Sequence, residues 1–141
     1  MIRPLEEKDL EFLASVKEID FADGWNLNML KSSFKANNLL GYVMEKETPF
    51  AFITCSLGID TLDILDVYVK EEMRGNGHAK KLISFTENQF KNKGVKKVFL
   101  EVKESNANAI NLYQNCGYKK ISERKKYYSD GSTALIMIKE I

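Results

Sequence analysis

The stretch V-Y-V-K-E-E-M-R-G-N-G-H-A-K-K-L, residues 67–82, decides the fold of this chain. An apolar strand ends at Val69, a turn containing Gly75 and Gly77 follows, and a helix begins directly after it. The first backbone N–H groups of a helix have no partner within the helix, and the helix dipole is positive there. Glycines let a ligand come close to the backbone. A strand, a glycine turn and a helix in this order therefore predict a site for a phosphate or pyrophosphate group.

The glycine pair alone is weak evidence, because most short glycine pairs only form turns. The segment Arg74-Gly75-Asn76-Gly77-His78-Ala79 is more specific, since it fits the pattern Arg/Gln-x-x-Gly-x-Gly/Ala. It matches neither the G-x-x-x-x-G-K-[ST] of a nucleotide-binding P-loop nor the G-x-G-x-x-G dinucleotide fingerprint.

Two further blocks follow in a recognisable order, E-V-K-E-S-N-A-N-A-I-N-L-Y at 101–113 and R-K-K-Y-Y at 124–128. With these blocks the chain resembles the GNAT superfamily of acyl-CoA-dependent N-acetyltransferases. Within it, the chain is similar to the bacterial ribosomal-protein-alanine N-acetyltransferases. The resemblance runs from about Leu62 to Ile138 and is dense from Val67 to Tyr128.

The resemblance implies a GNAT-like α/β fold, with a mixed, mostly antiparallel sheet flanked by helices, and acetyl-CoA as the acyl donor. It places the acetyl and pantetheine part along the backbone of Val67, Tyr68 and Val69, in the manner of an edge strand. The pyrophosphate is expected at the backbone N–H groups of residues 75–80, and Asn106 is expected to contact the cofactor. The resulting cofactor-binding residues are Val67, Tyr68, Val69, Arg74, Gly75, Asn76, Gly77, His78, Ala79, Lys80 and Asn106.

The chemistry of acetyl transfer needs a base for the attacking amine and an acid for the departing thiolate. By resemblance Glu101 is the base, acting directly or through water, and Tyr113 is the acid. Glu101 lies in an apolar run, where a carboxylate is costly unless it faces a polar cleft, and burial would raise its pKa. Tyr113 follows Asn106 by seven positions, so both project from one side of a short helix. The alternatives are a partnered surface glutamate, a core tyrosine and an asparagine that only caps the helix.

Three aromatic residues are further candidates for contact with the acceptor. Tyr127 and Tyr128 end the R-K-K-Y-Y block. Trp25 follows Gly24 where the family often has Pro-Trp, so it belongs either to the core or to the substrate groove. Asp66, an unusual carboxylate within an apolar strand, either lies on a solvated cleft face or pairs with a basic group, and a structural role is favoured.

Length and composition indicate one domain spanning residues 1–141, which the resemblance implies is an N-acetyltransferase domain. Hydrophobic residues make up 44% and charged residues 29%, and no run approaches the roughly 20 apolar residues of a membrane helix. Cys55 and Cys116 are expected to be free thiols, and the lone His78 with two scattered cysteines predicts no metal site. These features, together with a start that lacks a signal pattern, favour a cytoplasmic protein.

The net charge of +1 conceals a division between the two parts of the chain. Residues 1–72 hold seven Lys and Arg against fourteen Asp and Glu, whereas residues 73–126 hold thirteen against four. Most of these charges are expected to be solvated surface. The functional interpretation is that the basic part holds a polyphosphate cofactor and the acidic part meets a cationic substrate. A nucleic-acid partner is disfavoured, because the whole chain is not basic.

Hydrophobic periodicity predicts alternating strands and helices with hairpins at both ends. An amphipathic helix is expected over 5–19, with Leu10, Leu13, Val16 and Ile19 on its apolar face, followed by a loop at 21–25. A second helix is expected to begin at an Asn26 cap and run to Lys35. Strands are predicted at 2–4, 41–46, 49–57, 61–69, 97–102, 118–127 and 133–138, and helices after Gly77 and after Ser105 or Asn106, ended by Gly94 and Gly117. In the strand 61–69, Ile64, Asp66 and Tyr68 are expected to share one face.

Three functions remain open at this point. The first is acetylation of a protein N-terminus, with the alanine of a ribosomal protein as the leading acceptor. The second is acetylation of a small amine or a lysine side chain, which would leave the fold and the cofactor site unchanged. The third is a non-catalytic acyl-CoA-binding regulator, against which the presence of Glu101 and Tyr113 argues.

Overall fold

The computed structural model describes residues 1–21 and 24–141, whose strands form a seven-stranded mixed sheet, as predicted. The order across the sheet is β1-β2-β3-β4-β5-β7-β6. The strands are β1 (Ile2–Pro4), β2 (Leu40–Glu45), β3 (Pro49–Leu57), β4 (Thr61–Val69), β5 (Lys97–Lys103), β6 (Lys119–Arg124) and β7 (Ala134–Glu140).

The α-helices of the described ranges begin and end close to the predicted residues from α2 onward. They are α1 (Leu10–Val16), α2 (Leu27–Lys35), α3 (His78–Lys91) and α4 (Ala107–Asn115). The Asn26 side chain accepts a hydrogen bond from the N–H of Met29 at 3.0 Å, and that of Asn106 accepts one from Ala109 at 3.1 Å. Gly94 and Gly117 follow α3 and α4 with φ angles of 95° and 97°, a left-handed conformation that favours glycine. The predicted caps and stops are therefore confirmed.

Two clusters of buried side chains cover the opposite faces of the sheet. On β2, Val43 packs in one cluster while its neighbours Tyr42 and Met44 pack in the other, as the alternation of strand side chains requires. The larger cluster lies against α3 and α4, and the smaller one against α1 and α2. The sheet is thus the middle of three layers.

The sheet opens between β4 and β5, the only neighbouring strands of the described sheet that run parallel. Their ladder pairs residues 61–64 with 97–100 and ends there. Beyond that point β4 continues to Val69 paired only with β3, and β5 continues to Lys103 paired only with β7. The ends of both strands therefore border a gap in the sheet, and α3 and α4 begin near that gap.

A β-bulge in β4 overturns the expected arrangement of its side chains. The register shifts so that Ile64 pairs with Cys55 and Asp66 with Thr54, which leaves Leu65 as the extra residue. Ile64 consequently lies on the α3 face, while Tyr68 packs with the α1 and α2 cluster. The prediction that Ile64, Asp66 and Tyr68 share a face was wrong, because a bulge reverses the alternation behind it.

The first helix is shorter than expected and is extended at both ends by other helical turns. A 3₁₀ turn (Glu7–Asp9) precedes α1, and a π-helical turn (Lys17–Phe21) follows it. Ile19, predicted on the apolar face, is 78% exposed, because the wider π turn changes which side chains face inward. Lys17 faces inward instead and forms an ion pair with Asp66 at 2.6 Å. Of the loop predicted at 21–25, Phe21 belongs to the π turn, and residues 22 and 23 lie outside the described residues.

The last hairpin is shorter on its first strand than predicted. β6 ends at Arg124, and Lys126 adopts a left-handed φ of 53°, which interrupts the extended chain before Tyr127. The turn at 129–131 is confirmed by a hydrogen bond from the N–H of Gly131 to the carbonyl of Tyr128 at 2.9 Å. Tyr127 and Tyr128 therefore lie in the loop between β6 and β7, not on a strand.

Both cysteines are free thiols, and they lie in different surroundings. Cys55 is fully buried in the core, and burial raises the pKa of its thiol to about 12. Cys116 caps the end of α4 and is only partly buried. Among the described helices, none combines the length and the apolar character needed to cross a bilayer.

Candidate active site

A cleft of about 950 Å³, the β4–β5 cleft, occupies the gap in the sheet. β4 supplies one wall, the turn after it and the start of α3 supply the floor, and α4 supplies the other wall. The residues predicted for the cofactor and the acid that line this cleft are Val67, Tyr68, Val69, Arg74, Gly75, Gly77, His78, Ala79, Lys80, Asn106 and Tyr113. Segments far apart in the sequence are therefore brought together as predicted.

The glycine turn has the geometry that a phosphate group requires. Gly75 and Gly77 have φ angles of 81° and 78°, and nothing lies within 4 Å of where a Cβ would stand on either. The first intrahelical bond of α3 runs from Lys81 to Gly77 at 3.0 Å, so the N–H groups of residues 78–80 remain for a ligand. Arg74 donates from Nε to the carbonyl of Val69 at 2.7 Å, which fixes the turn against the end of β4. The open backbone, the helix start and the basic side chains fit a pyrophosphate.

Two residues of the glycine motif are engaged within the protein. The Asn76 amide donates to the carbonyls of Met73 and Arg74 at 3.1 and 3.3 Å, and Asn76 is not among the residues that line the cleft. The His78 ring packs edge-on against Phe50 with 5.0 Å between centroids. Asn76 therefore stabilises the turn through its side chain, and His78 reaches both the core and the cleft.

Replacement of Gly77 by valine is expected to lower the affinity for acetyl-CoA by about tenfold or more, roughly 1.4 kcal/mol. A branched side chain would occupy the open space above the turn, and the left-handed φ would be strained. Isothermal titration calorimetry measures the affinity. Gly94→Val is the matched control, since Gly94 has a φ of 95°, equally open surroundings and no place in the cleft. If both variants bind like the parent, the turn does not hold the pyrophosphate.

Tyr113 projects from α4 into the cleft and is fixed from behind by Tyr118. The two rings meet edge-on at 6.2 Å, and the N–H of Tyr118 donates to the carbonyl of Tyr113 at 2.9 Å. Burial raises the pKa of Tyr113 to about 12, and the nearby Asp66 carboxylate and Cys116 contribute in the same direction. The phenol therefore stays protonated throughout the physiological range, as a proton donor must.

Glu101 lies outside the β4–β5 cleft, in a groove of about 380 Å³ that we call the Glu101 groove. Its neighbours Leu100 and Val102 point into the core, so the alternation of β5 turns Glu101 to the opposite face. Its side chain is 34% exposed and lies 3.4 Å from Nη1 of Arg124, which is 53% exposed. This carboxylate is therefore not buried; it is an accessible group at the end of the β4–β5 ladder, and Arg124 partners it as the alternative of a surface glutamate requires.

A structural role was favoured for Asp66, and its contacts with Lys17 and Thr54 agree with that role. Its Oδ2 accepts from Lys17 Nζ at 2.6 Å, and Thr54 Oγ1 lies 3.5 Å away. The sequence could not place it beside Tyr113, because these residues are 47 positions apart. The only signal was a carboxylate within an apolar strand. The structure thus brings a second carboxylate near the proposed acid, on the face of the sheet that carries Glu101.

The aromatic candidates lie at three different places. Tyr127 lines the Glu101 groove beneath the Arg124 guanidinium, with 5.3 Å from Cζ to the ring centroid. Tyr128 packs edge-on against Tyr127 and carries Lys103 Nζ at 5.3 Å over its ring, but it lines neither the groove nor the cleft. Trp25, 37% exposed, lines a third cavity, the Trp25 pocket, and is therefore not a core tryptophan.

Comparison with known proteins finds similarity along most of the chain. Residues 5–118 match the model of a family described as the acetyltransferase (GNAT) family. A relative from Haemophilus ducreyi named [ribosomal protein bS18]-alanine N-acetyltransferase is 30% identical, with 97% of each chain covered.

Solved structures give the same picture of the fold. The crystal structure of the ribosomal-protein-S18-alanine N-acetyltransferase from Escherichia coli superposes with a TM-score of 0.89 at 26% identity, covering all of this chain and 93% of that one. Arabidopsis thaliana NAA60 in complex with acetyl-CoA reaches a TM-score of 0.87 at 19% identity, covering 100% and 98%. The second likeness concerns the fold alone.

Proposed function

The chain belongs to the acetyltransferase (GNAT) family, and from that premise we propose that it transfers the acetyl group of acetyl-CoA to the N-terminal α-amine of a protein. The alanine of a ribosomal protein is the leading acceptor, in keeping with the name of the Haemophilus ducreyi relative. The observation that carries the proposal is the gap in the sheet, which has the glycine turn and Tyr113 on one side and the accessible Glu101 on the other.

The residues of the β4–β5 cleft would hold the acyl donor in three parts. The backbone of residues 67–69 has no strand partner on its β5 side and can bond the amides of the pantetheine arm. The glycine turn and the start of α3 would hold the pyrophosphate, with Lys80 adding positive charge. Asn106 lines the cleft, while its Oδ1 caps α4. Bound in this way, the donor supplies an activated acetyl thioester at the gap between the strands.

Glu101 and Tyr113 perform the two proton transfers of this proposal. The α-amine approaches from the Glu101 groove, and Glu101 accepts its proton directly or through water. An α-amine has a pKa of about 7.7–8.0, so near neutral pH a weak base suffices. Tyr113 donates its proton to the departing sulfur. Asp63 and Glu101 border the groove together with Arg124, which leaves one net negative charge there to attract a cationic N-terminus.

Tyr113→Phe is expected to lower kcat by about tenfold to a hundredfold while leaving the fold intact. The expected loss of rate is moderate because a thiol has a pKa near 8.5, so its thiolate is a good leaving group even without a proton donor. Since the phenol has a raised pKa of about 12, the parent should show no loss of rate from this group up to about pH 10. Fixed-time assays of acetyl transfer at a series of pH values measure both the loss of kcat and the pH dependence of the rate.

The matched control for this substitution is Tyr42→Phe, which removes a phenol from the core and leaves the cleft and the Glu101 groove untouched. If Tyr113→Phe ran at the parental rate across the pH range, Tyr113 would not be the acid. Positioning of the substrates would then be its whole contribution.

The proposal is tested by offering acetyl-CoA with either of two peptides. One peptide has a free N-terminal alanine followed by basic residues, and the other has a blocked N-terminus and one internal lysine. Mass spectrometry with fragmentation locates the acetyl group. Acetylation of the α-amine supports the proposal, whereas equal or faster reaction of the lysine would support a lysine or small-amine acetyltransferase. Binding of acetyl-CoA without transfer to either would indicate a regulator.

The proposed acceptor also implies the cellular compartment in which the protein acts. Ribosomal proteins are made in the cytoplasm, so this function is exercised there, with acetyl-CoA and a protein N-terminus as the partners. A bacterial relative with this acceptor in its name is consistent with that place.

A further inference from the structure

The Trp25 pocket is a cavity of about 200 Å³ with a buried apolar floor and an exposed apolar mouth. Leu13, Leu30 and Leu39 form the floor and are at most 4% exposed. Trp25 and Leu65 form the mouth and are 37% and 47% exposed. Large apolar side chains exposed around a concave apolar surface are typical of a site that binds an apolar group.

Among the described residues, Lys17 and Asp66 give one wall of the pocket a pair of opposite charges. Lys17 and Asp66 meet at 2.6 Å, and the Lys17 ammonium also lies 5.9 Å from the centre of the Trp25 ring. The Thr54 hydroxyl stands 3.5 Å from the same Asp66 oxygen. Because these opposite charges are paired with each other, the wall does not require a charged ligand.

The pocket lies next to both groups of the proposed chemistry. Leu65, which the bulge turns outward, lines both the Trp25 pocket and the Glu101 groove. The next residue, Asp66, also lines the pocket, and its negative charge helps to raise the pKa of the Tyr113 phenol. An amine placed between Glu101 and Tyr113 therefore has this pocket beside it. The side chain of the first residue reaches it most readily, since each later Cα lies another 3.8 Å or so along the chain.

We propose that the Trp25 pocket binds the side chain of the acceptor's N-terminal residue and accepts large apolar side chains, leucine and methionine, as well as alanine. The inference rests on the proposed N-terminal activity and extends its range of acceptors. A volume of 200 Å³ is several times the roughly 30 Å³ share of one water molecule, whereas alanine offers a single methyl group. Leucine or methionine fills much more of it. A lysine or glutamate at the first position places its charge among leucines, beside a Lys17–Asp66 pair whose charges already match each other.

The test uses peptides that differ only in their first residue, namely alanine, leucine, methionine, lysine or glutamate, with one common basic sequence after it. We expect kcat/KM for the leucine and methionine peptides to equal or exceed that for alanine, by up to about tenfold. The lysine and glutamate peptides should be at least about tenfold poorer than alanine. Acetylation of alanine with refusal of leucine and methionine would overturn the inference and leave the N-terminal activity standing. Failure of every peptide would overturn both.

Variants of the pocket separate its contribution from the rest of the groove. Leu39→Phe fills the floor and is expected to lower the ratio of methionine to alanine efficiency by about tenfold. Trp25→Ala removes one of the two exposed side chains of the mouth and should lower the same ratio. Ile59→Phe is the control, because Ile59 is fully exposed at the turn between β3 and β4, away from the pocket. If folded Leu39→Phe and Trp25→Ala proteins keep the parental ratio, as Ile59→Phe should, the side chain does not bind here.

Discussion

Glu101→Gln is expected to reduce kcat by about 10²–10⁴-fold while leaving the affinity for acetyl-CoA unchanged. Glutamine keeps the size of the side chain and loses the ability to accept a proton from the amine. Glu101 lies in its own groove, separate from the β4–β5 cleft that would hold the donor, so donor binding should not respond. Steady-state rates with the alanine peptide and calorimetry with acetyl-CoA measure the two quantities.

The control for this variant is Glu104→Gln, an exposed glutamate in the turn just after β5 that lines neither the cleft nor the groove. Loss of the ion pair between Glu101 and Arg124 should hardly affect stability, since both side chains are solvent-accessible and such pairs contribute at most about 1 kcal/mol. A Glu101→Gln enzyme as fast as Glu104→Gln would show that the carboxylate is not the base. An accompanying loss of donor affinity would show instead that the variant had disturbed the cleft.

The second large effect concerns the choice between two amines. An α-amine titrates about two and a half pH units below a lysine side chain, which corresponds to roughly 3.5 kcal/mol, or roughly 300-fold, in deprotonation. The only general base placed in the groove by this proposal is one accessible glutamate. We therefore expect kcat/KM for the free N-terminal alanine peptide to exceed that for an internal lysine by about 10²-fold at pH 7.

Ionic strength provides an independent check on the same comparison. Asp63 and Glu101 border the groove, and the first 72 residues carry twice as many acids as bases. The efficiency with a basic N-terminal peptide should therefore fall as salt rises, because the screening length shrinks from about 10 Å at 0.1 M to about 3 Å at 1 M. An uncharged peptide with the same N-terminal alanine should show a smaller change. A lysine peptide that matches the alanine peptide at equal pH and salt would rule out the N-terminal assignment.

The sequence by itself determined those features whose causes are local. The bonds from Asn26 and Asn106 to backbone N–H groups three residues ahead end at near neighbours, so a single side chain specifies the helix start. The left-handed glycines at 77, 94 and 117 follow from the same short-range sterics. The resemblance to the family, carried by short motifs, located eleven of the eighteen residues that line the cleft.

Only the tertiary structure decided which site residues lie on which face of the sheet. The bulge at Leu65 depends on how β4 pairs with β3, and no local pattern within residues 61–69 signals it. That bulge turns Leu65 outward and places Asp66 on the face opposite the core of α3, where Lys17 meets it from 49 positions away. The exposure of Glu101 has a similar origin, since it depends on where the ladder between β4 and β5 ends. Such pairings are settled by the burial of many side chains at once, so the position of a carboxylate relative to solvent cannot be derived from its own neighbours in the chain.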